Sequence, residues 1–341
     1  MFLVGDSAST QPEVPPLVPP LVSVIVPTRN RAGLLAQTLA GILAQRDVAL
    51  EVVVVDDGST EPGTQTLIAR MADEHIRLLR NERCLGVSAT RNRGVAAARA
   101  PWVAYCDDDD LWAPDKLRRQ LDAATAADAA WVVSGAVAFL PSGALAFASR
   151  PCAQGLLRGL SRRNVVPGGC SGVLAQRALV QAAGGYDEGL RTLADWDLWL
   201  RLARLAEAAA VDAPLVAYRL HTANMSNDPR GVLAEFRVIA AATADLRDGR
   251  SLDAAWLHRW LGQAALRSGA RLTAVGCYAR AVRWREPESL ARPLVAALGH
   301  RATRRMVSRR QPVDTGWAAP VQTWLPPLLA GDSALTPAPV R

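Results

Sequence analysis

Residues 50–59 read LEVVVVDDGS, a short continuous apolar run that ends abruptly in turn-forming polar residues. Such a run, rich in β-branched valine and without polar alternation, is typical of a strand that is buried on both faces of its sheet. The Asp-Asp-Gly-Ser that follows it has the composition of a turn. Because both faces of this strand must be covered, the flanking sequence is expected to supply helices for each side of the sheet.

The segments around this strand alternate between strand and helix patterns. Further apolar runs predict strands at residues 21–27, 76–81 and 102–107. Apolar residues at helical spacing predict helices at residues 31–45, 63–74 and 86–99. Strands that alternate with helices in this way form a mainly parallel sheet flanked by helices. The sequence therefore predicts an α/β fold, followed from about residue 230 by an Ala/Arg/Leu-rich region with helical periodicity.

Positive charge is concentrated in that C-terminal region. The chain has a net charge of +7, and residues 230–341 carry 17 arginines against 8 acidic residues, a local net charge of +9. This surface either faces solvent or meets anionic lipid, an acidic substrate or nucleic acid. Nucleic acid is not expected, because Trp256, Trp260 and Trp284 are spaced for packing and few other aromatic residues interleave with the arginines. A salt-sensitive peripheral contact with the anionic inner face of the membrane is favoured over nucleic acid.

Three further features concern the compartment. The five cysteines are scattered, and no two of them have metal-site or redox-motif spacing, which indicates free thiols in a reducing compartment. The start MFLVGDSAST lacks the basic and apolar regions of a secretory signal. Residues 129–149 are 21 uncharged residues, long enough to span a bilayer, but LPSG at residues 140–143 divides them and favours a β-hairpin. We therefore predict a cytoplasmic protein.

Four polar clusters follow predicted strands. They are PTRN at residues 27–30, DDGS at 56–59, NERCLG at 81–86 and DDDD at 107–110. Open parallel sheets bind ligands outside the carboxyl ends of their strands. These clusters are therefore expected to lie on one rim of the sheet and to contact a ligand.

The four consecutive aspartates raise the question of what relieves their mutual repulsion. If they continue a strand, Asp107 and Asp109 point to one face and Asp108 and Asp110 to the other. A carboxylate pair with open positions suits Mg²⁺ or Mn²⁺ that also binds a substrate diphosphate. Asp110 is alternatively an N-cap for a helix beginning at Leu111, and an acidic loop without metal is the structural alternative.

Other polar residues on the rim have a functional and a structural interpretation. Either Asp56 or Asp57 accepts hydrogen bonds from a nucleobase or ribose, or both only shape the turn. The Arg91 guanidinium suits a diphosphate or an aspartate of the metal site, whereas Arg93 is expected on the surface. His221, after the last predicted strand, is a third metal or phosphate contact or a structural histidine.

Asp195 and Asp197 begin a strongly amphipathic helix in LADWDLWLR. An acid at a helix N-terminus is stabilised by the helix dipole and usually has only a capping role. We assign that role to Asp197. Asp195 is a candidate general base that would face a hydroxyl acceptor across a bound donor.

The order of these motifs resembles the large family 2 of inverting glycosyltransferases, which have the GT-A fold. The resemblance runs over residues 21–227 and rests on six strings: VSVIVPTRNR, VVVVDDGS, LGVSATRNRG, WVAYCDDDDLWAPDKL, ADWDLWLRL and YRLHTANMS. It implies a GT-A glycosyltransferase domain at 21–229. Proline-rich composition predicts a disordered lead at 1–20 and a loose tail at 316–341, and helical periodicity predicts a helical C-terminal region at 230–315. Many members carry Glu-Asp where this chain has Ala194-Asp195, which leaves one acceptor-side contact in doubt.

The resemblance also implies a role for each site residue. The residues implied in nucleotide-sugar binding are Pro27, Thr28, Arg29, Asp56, Asp57, Arg91, Asp107 and Asp108. Asp107, Asp109 and His221 are implied in metal binding, and Asp195 is implied as the catalytic base. The expected reaction moves a sugar, with inversion, from a nucleotide-diphosphate donor, UDP-linked by preference, to a hydroxyl of a saccharide or lipid-linked glycan.

Two other functions are compatible with parts of the sequence. A sugar nucleotidyltransferase also uses a parallel sheet and Mg²⁺, but it needs a glycine-rich, lysine-containing loop after the first strand, where this chain has VPTRNRAG. A binding or scaffolding module that keeps the fold without turnover is supported by Ala194 alone. Release of nucleoside diphosphate from sugar nucleotides separates a transferase from such a module.

Overall fold

A computed structural model of the chain describes residues 19–221, 229–247, 251–283 and 314–330. The proline-rich lead predicted at residues 1–20 lies outside the described residues except for its last two. Among the described residues, no helix has both the length and the apolar character needed to cross a bilayer.

The first part of the chain forms the predicted parallel sheet. Its strands are β1 (Val22–Thr28), β2 (Leu50–Asp56), β3 (Ile76–Arg80) and β4 (Trp102–Tyr105). The intervening helices are α1 (Ala32–Leu43), α2 (Gly63–Met71) and α3 (Val87–Ala97). The strands pair in parallel in the order β3-β2-β1-β4, so their carboxyl ends share one edge. All seven residues of β1 and of β2 are buried, as expected for strands covered on both faces.

The next part of the chain extends this sheet with mixed pairing. Its strands are β5 (Leu111–Trp112), β6 (Trp131–Phe139), β7 (Leu145–Ser149), β8 (Val173–Gln176) and β9 (Ala208–Arg219). Its helices are α4 (Lys116–Ala127), α5 (Leu156–Leu160), α6 (Arg177–Ala182) and α7 (Ala194–Leu205). The sheet continues β4-β8-β6-β9-β5, and β7 pairs antiparallel with β6. The predicted β-hairpin at residues 129–149 is therefore confirmed.

The C-terminal residues are helical wherever the structure describes them. The helices are α8 (Pro229–Ala242), α9 (Ala254–Arg267), α10 (Arg271–Arg283), α11 (Thr315–Ala318) and α12 (Val321–Ala330). The loose tail predicted from residue 316 is wrong over residues 316–330. Helix α12 packs on α1, β5 and β9, with Val321, Trp324 and Leu325 buried. Apolar burial is the physical reason that this segment is ordered.

The packing of α12 gives a prediction about stability. Leu325 is 3% exposed, and its replacement by alanine should lower the free energy of unfolding by about 2–5 kcal/mol, the usual cost of emptying a buried leucine site. Gln322→Ala, on the exposed face of the same helix, is the matched control. Chemical denaturation of both variants is the measurement. Equal midpoints would mean that α12 adds nothing to the core.

Helix α3 lies unusually close to the sheet. A Cβ atom built on Gly94 would overlap the side chain of Ile25 on β1, so only glycine permits this spacing. Arg91 lies one turn earlier on the same helix, and its side chain is 3% exposed. The close approach therefore places a guanidinium beside the carboxyl ends of the strands.

Candidate active site

The four aspartates form a turn rather than a continued strand. Strand β4 ends at Tyr105, and the Asp110 N–H donates to the Asp107 carbonyl at 3.1 Å. Asp108 and Asp109 both contact Nη1 of Arg31, at 3.2 and 3.0 Å. The predicted alternation of faces is therefore wrong, because a turn does not have the two-residue periodicity of a strand.

Each aspartate has its own compensating partner, which is what relieves the repulsion. Their short contacts are Arg91 Nη2 with Asp107 at 2.6 Å, Thr28 Oγ1 with Asp108 at 2.7 Å, His221 Nε2 with Asp109 at 2.8 Å and Ser171 Oγ with Asp110 at 2.6 Å. The predicted N-cap role of Asp110 is wrong. Its carboxylate also accepts from the Arg219 N–H at 3.2 Å, and helix α4 begins five residues after the predicted start, at Lys116.

Burial leaves some of this negative charge poorly compensated. Desolvation, with the neighbouring Asp109 carboxylate, raises the pKa of Asp108 to about 7, against the opposing effects of Arg31 and Thr28. Desolvation and the carboxylates of Asp109 and Asp107 likewise raise the pKa of Asp110 above its ordinary value. The turn is therefore an environment in which additional positive charge would be favourable.

Arg91 links the acidic turn to the candidate base. One guanidinium nitrogen contacts Asp107 at 2.6 Å and the other contacts Asp195 at 3.0 Å. The guanidinium carbon also lies 5.0 Å from the centre of the Tyr186 ring, a cation–π arrangement. The sequence offered a diphosphate or an aspartate of the metal site as the partner of Arg91, and the structure pairs its buried guanidinium with Asp107, one of those aspartates, and with Asp195.

Asp195 lies in the first turn of α7, where the sequence placed it. Burial raises the pKa of its carboxyl group, Arg91 opposes that shift, and the Asp107 carboxylate adds to it. A raised pKa makes a carboxylate a better proton acceptor near neutral pH. Asp197, two residues later, forms no side-chain cap and instead pairs with Arg201 one turn along the helix, with Nε at 3.0 Å. The capping role predicted for Asp197 is therefore wrong.

Asp56, the last residue of β2, and Asp57, which follows it, differ in how many hydrogen bonds their carboxylates accept. The Asp57 carboxylate accepts from Asn81 Nδ2 and Leu85 N at 2.8 Å, Gly86 N at 3.0 Å and the Cys84 thiol at 3.2 Å. Asp56 Oδ1 accepts from Ser59 N at 2.8 Å, whereas its Oδ2 is buried without a hydrogen-bond partner among the described residues. Asp57 thus holds the loop before α3, whereas Asp56 Oδ2 accepts no hydrogen bond from any described residue and has Arg80 Nη1 at 3.8 Å.

The contacts of Asp57 make stability pH-dependent. Burial opposes ionisation, but the hydrogen bonds from Leu85, Asn81, Cys84 and Gly86 outweigh it and lower the pKa. A lowered folded-state pKa means that Asp57 stabilises the fold above about pH 4, the unfolded value, and loses that effect as pH falls through the folded-state pKa.

We therefore expect Asp57→Asn to lower the free energy of unfolding by about 1–3 kcal/mol at pH 7, because an amide NH₂ would face backbone N–H donors. The difference from wild type should shrink on acidification towards pH 3, measured by urea denaturation across that range. Asp47→Asn, at an exposed position, is the control. A difference that stays constant with pH would contradict this account.

The other site residues predicted from the sequence lie partly in this cluster and partly at the surface. Pro27 is buried within β1, Thr28 ends that strand and bonds Asp108, and Arg29 is exposed directly after it. Arg93 is exposed and donates to the Arg80 carbonyl at 2.8 Å, away from the acidic turn, as the sequence indicated. His221 does lie beside Asp109. The structure therefore gathers Thr28, the acidic turn, Arg91, Asp195 and His221, and leaves Arg29 and Arg93 at the surface.

Three residues in the site were not singled out from the sequence. Arg31 forms ion pairs with two of the four aspartates. The signal in the sequence that could have indicated it was its position two residues after Arg29 in PTRNR. Arg219 donates from Nε to the Asp109 carbonyl at 3.0 Å, and it precedes His221 by two residues. Cys170 lies 3.2 Å from both Arg91 Nη2 and Asp107 Oδ1, and no local pattern indicated that contact.

The acidic turn and its surroundings contain donor atoms of the kinds that metal ions take. Among the described residues, no group of three or more His, Cys, Asp or Glu side chains is arranged to hold an ion. The acidic turn and Asp195 together carry five carboxylates, and the guanidinium groups of Arg31 and Arg91 contact four of them. Asp107, Asp109 and His221 offer carboxylate and imidazole donors, the kinds of group that bind a divalent cation together with ligand oxygens.

Comparison with known proteins identifies a family whose sequence pattern part of this chain matches. The model of "Glycosyl transferase family 2" matches residues 23–165. Over these residues the chain is similar to the family 2 glycosyltransferases. The matched range includes β1, β2 and the acidic turn, and it ends before Asp195 and His221.

Relatives of this chain include enzymes of polysaccharide synthesis. The succinoglycan biosynthesis protein ExoO of Rhizobium meliloti is 41% identical over 108 residues, 32% of this chain and 31% of that protein. The β-1,3-glucosyltransferase WfgD of Escherichia coli, named for UDP-Glc and α-D-GlcNAc-diphosphoundecaprenol, is 32% identical over 100 residues, 29% of this chain and 39% of that protein. The matches thus span about a third of these relatives' own length.

A solved structure shows the same fold. Mannosyltransferase PcManGT from Pyrobaculum calidifontis, in complex with GDP-Man and Mn²⁺, matches with a TM-score of 0.52 and 20% sequence identity. The match covers 91% of this chain and 88% of that one. The fold is therefore that of the GT-A glycosyltransferases, with helices added at the C-terminal end.

Proposed function

We propose that this protein is an inverting glycosyltransferase that uses a nucleotide-diphosphate sugar. The observation that carries the proposal is the bridge formed by Arg91, which holds Asp195 and Asp107 within one buried cluster at the carboxyl edge of the sheet. Asp195, the proposed proton acceptor, and Asp107, on the proposed phosphate side, contact different terminal nitrogens of one guanidinium. This arrangement is compatible with an acceptor hydroxyl that attacks one side of a sugar while a diphosphate leaves from the other.

The nucleotide would bind across the ends of β1 and β2. Asp56 Oδ2, which accepts no hydrogen bond within the described part of the chain and lies 3.8 Å from Arg80 Nη1, suits the imide N–H of a pyrimidine base or a ribose hydroxyl. This assigns nucleotide contact to Asp56 and a structural role to Asp57. Pro27, Thr28, Arg29 and Asp108 line the same edge. A UDP-sugar is the preferred donor, since the relative WfgD is named for UDP-Glc.

A divalent ion, Mn²⁺ or Mg²⁺, would be held by Asp107, Asp109 and His221. When bound, the ion supplies positive charge to the departing diphosphate. Arg31, which contacts Asp108 and Asp109, keeps the turn partly neutral without it. The structural neighbour's complex with GDP-Man and Mn²⁺ agrees with this type of chemistry.

The acceptor step belongs to Asp195. Its carboxylate takes the proton of the acceptor hydroxyl as the oxygen attacks the anomeric carbon, and the bond to the diphosphate oxygen breaks on the far side. One displacement inverts the anomeric centre. Arg91 holds the carboxylate in place and stabilises its charged form before the proton arrives.

The acceptor is proposed to be a saccharide or a lipid-linked glycan, as the name of WfgD suggests for a relative. A protein acting on such an acceptor works at the inner membrane face, where its basic C-terminal region would meet anionic lipid. Cytoplasmic location with peripheral membrane contact follows from this proposal. Co-sedimentation with anionic vesicles at low salt, reversed at high salt, is the measurement.

The test of the proposed reaction is release of nucleoside diphosphate from a panel of UDP-, GDP- and dTDP-sugars with Mn²⁺ present. Thermal shift with the same panel identifies which donor binds. Release from one donor class, above the level of the Asp195→Asn variant, supports a transferase. Binding without release by the wild type would support the alternative of a catalytically altered module that only binds the sugar nucleotide.

A further inference from the structure

Helix α7, which carries Asp195, begins without a cap from its own sequence. The residue at the cap position is Leu193, and it forms no side-chain hydrogen bond there. The first backbone N–H groups of any helix, and those of the turn leading into it, need acceptors from elsewhere. The segment just before the catalytic helix would therefore be loosely held unless another element supplied an acceptor.

Glu235 on α8 supplies it. One carboxylate oxygen of Glu235 accepts from the Arg191 N–H at 2.9 Å, and the other accepts from Thr192 at 2.9 Å and Leu193 at 2.7 Å. Bonds from backbone N–H groups to a carboxylate are short and strong, and negative charge at a helix N-terminus is favourable. A side chain more than 40 residues further along the chain thus fixes the entry to α7.

Aromatic packing holds the residue on the other side of Asp195. Trp196 is fully buried, and its indole N–H donates to the Leu160 carbonyl at 2.7 Å. Its ring lies 5.9 Å from Phe236 on α8 and 5.9 Å from Trp256 on α9. Helix α8 therefore contacts the chain on both sides of Asp195, through hydrogen bonds to residues 191–193 and through Phe236 against Trp196, and α9 adds the ring of Trp256.

We propose that Glu235 is a positioning residue for Asp195, and that the helical C-terminal region is a working part of the active site. The proposal rests on the proposed role of Asp195 as the base. A misplacement of about 1 Å between reacting groups can cost about 10²-fold in rate. By holding the residues directly before Asp195, Glu235 sets where its carboxylate lies relative to the acceptor.

The first test needs no substrate. Hydrogen–deuterium exchange at residues 191–193 should be faster in Glu235→Ala than in wild type, because three amides lose their acceptor. Glu235→Gln keeps an acceptor oxygen and should fall between the two. Glu74→Ala, at an exposed glutamate before β3, should exchange like wild type. Unchanged exchange at residues 191–193 in Glu235→Ala would overturn the proposal.

The second test measures catalysis. Release of nucleoside diphosphate is followed with whichever sugar nucleotide of the panel is a substrate. Glu235→Ala should lower kcat by about 10- to 100-fold with an unchanged KM for the donor, because the donor binds on the other side of the cluster. Glu235→Gln should recover part of the loss. A fall in donor affinity with kcat unchanged would overturn the positioning role, and so would the absence of any change.

A double variant separates this proposal from the one it depends on. If Glu235 acts through Asp195, adding Glu235→Ala to Asp195→Asn should cost little beyond the loss from Asp195→Asn alone. A full further loss in the double variant would overturn the role of Glu235 and leave the base unaffected. Full activity of Asp195→Asn alone would instead overturn the assignment of the base.

Discussion

Replacing Asp195 by asparagine is expected to lower kcat by about 10²- to 10⁴-fold, the usual contribution of a general base. An amide cannot take the proton of the acceptor hydroxyl, but it keeps the shape of the side chain and one hydrogen-bond acceptor for Arg91. Donor affinity should therefore stay close to that of the wild type. Turnover is measured as nucleoside diphosphate release, and donor affinity by calorimetry with the same sugar nucleotide.

Asp197→Asn is the matched control for this change. It makes the same substitution on the same turn of α7, at a residue that pairs with Arg201 rather than with Arg91. Its turnover should remain within a few-fold of the wild type. Equal losses in both variants would indicate that the helix was disturbed, and full activity of Asp195→Asn would mean that another group accepts the proton.

Removal of divalent metal is expected to lower turnover by about 10²- to 10³-fold, a range typical for loss of one preorganised contact to developing charge. The reason is that the departing diphosphate would then meet the crowded carboxylates of residues 107–110, and the guanidinium groups of Arg31 and Arg91 are already paired with those carboxylates. Activity is measured after treatment with chelator and again after addition of Mn²⁺ or Mg²⁺, which should restore it.

Asp109→Asn links the metal requirement to this turn. The variant should need a higher Mn²⁺ concentration for half-maximal activity, because one of the proposed ligands is a weaker donor. Asp115→Asn, at an exposed carboxylate just before α4, should show the wild-type requirement. Turnover that is indifferent to chelator would remove the metal from the mechanism and leave the arginines as the counter-charges.

The front of the fold was predictable because its signals are local. Continuous valine runs such as that of β2 and the helical spacing between them determine which segments are strands, and parallel pairing places their carboxyl ends on one edge. Asp195 and His221 were also singled out from the sequence, through the order of motifs, and the structure places both in the same cluster. What each carboxylate contacts was not predictable, since it depends on side chains that are distant in sequence, such as Ser171 and Arg219.

In the C-terminal tail, by contrast, a local signal in the sequence led to a wrong prediction. Pro326 and Pro327 interrupt a helical pattern and suggested a loose segment, yet both lie on the exposed side of α12. The apolar contacts of Trp324 and Leu325 with the sheet outweigh the lost backbone hydrogen bonds. Composition alone cannot reveal that balance, because it depends on whether the rest of the fold offers an apolar surface to the segment. The contacts of Glu235 were missed because they join residues that are more than 40 positions apart in the sequence.

The glycine at position 94 has a consequence for engineering. It lets α3 press against β1, and that closeness sets how deep the Arg91 head reaches between its two acidic neighbours. A methyl group added there would wedge the helix outward and loosen both ion pairs at once without touching a charged atom. The size of the residue at position 94 thus controls the strength of both ion pairs by steric contact alone. A homologous protein with a bulkier residue there would need other charged groups to balance the same two carboxylates.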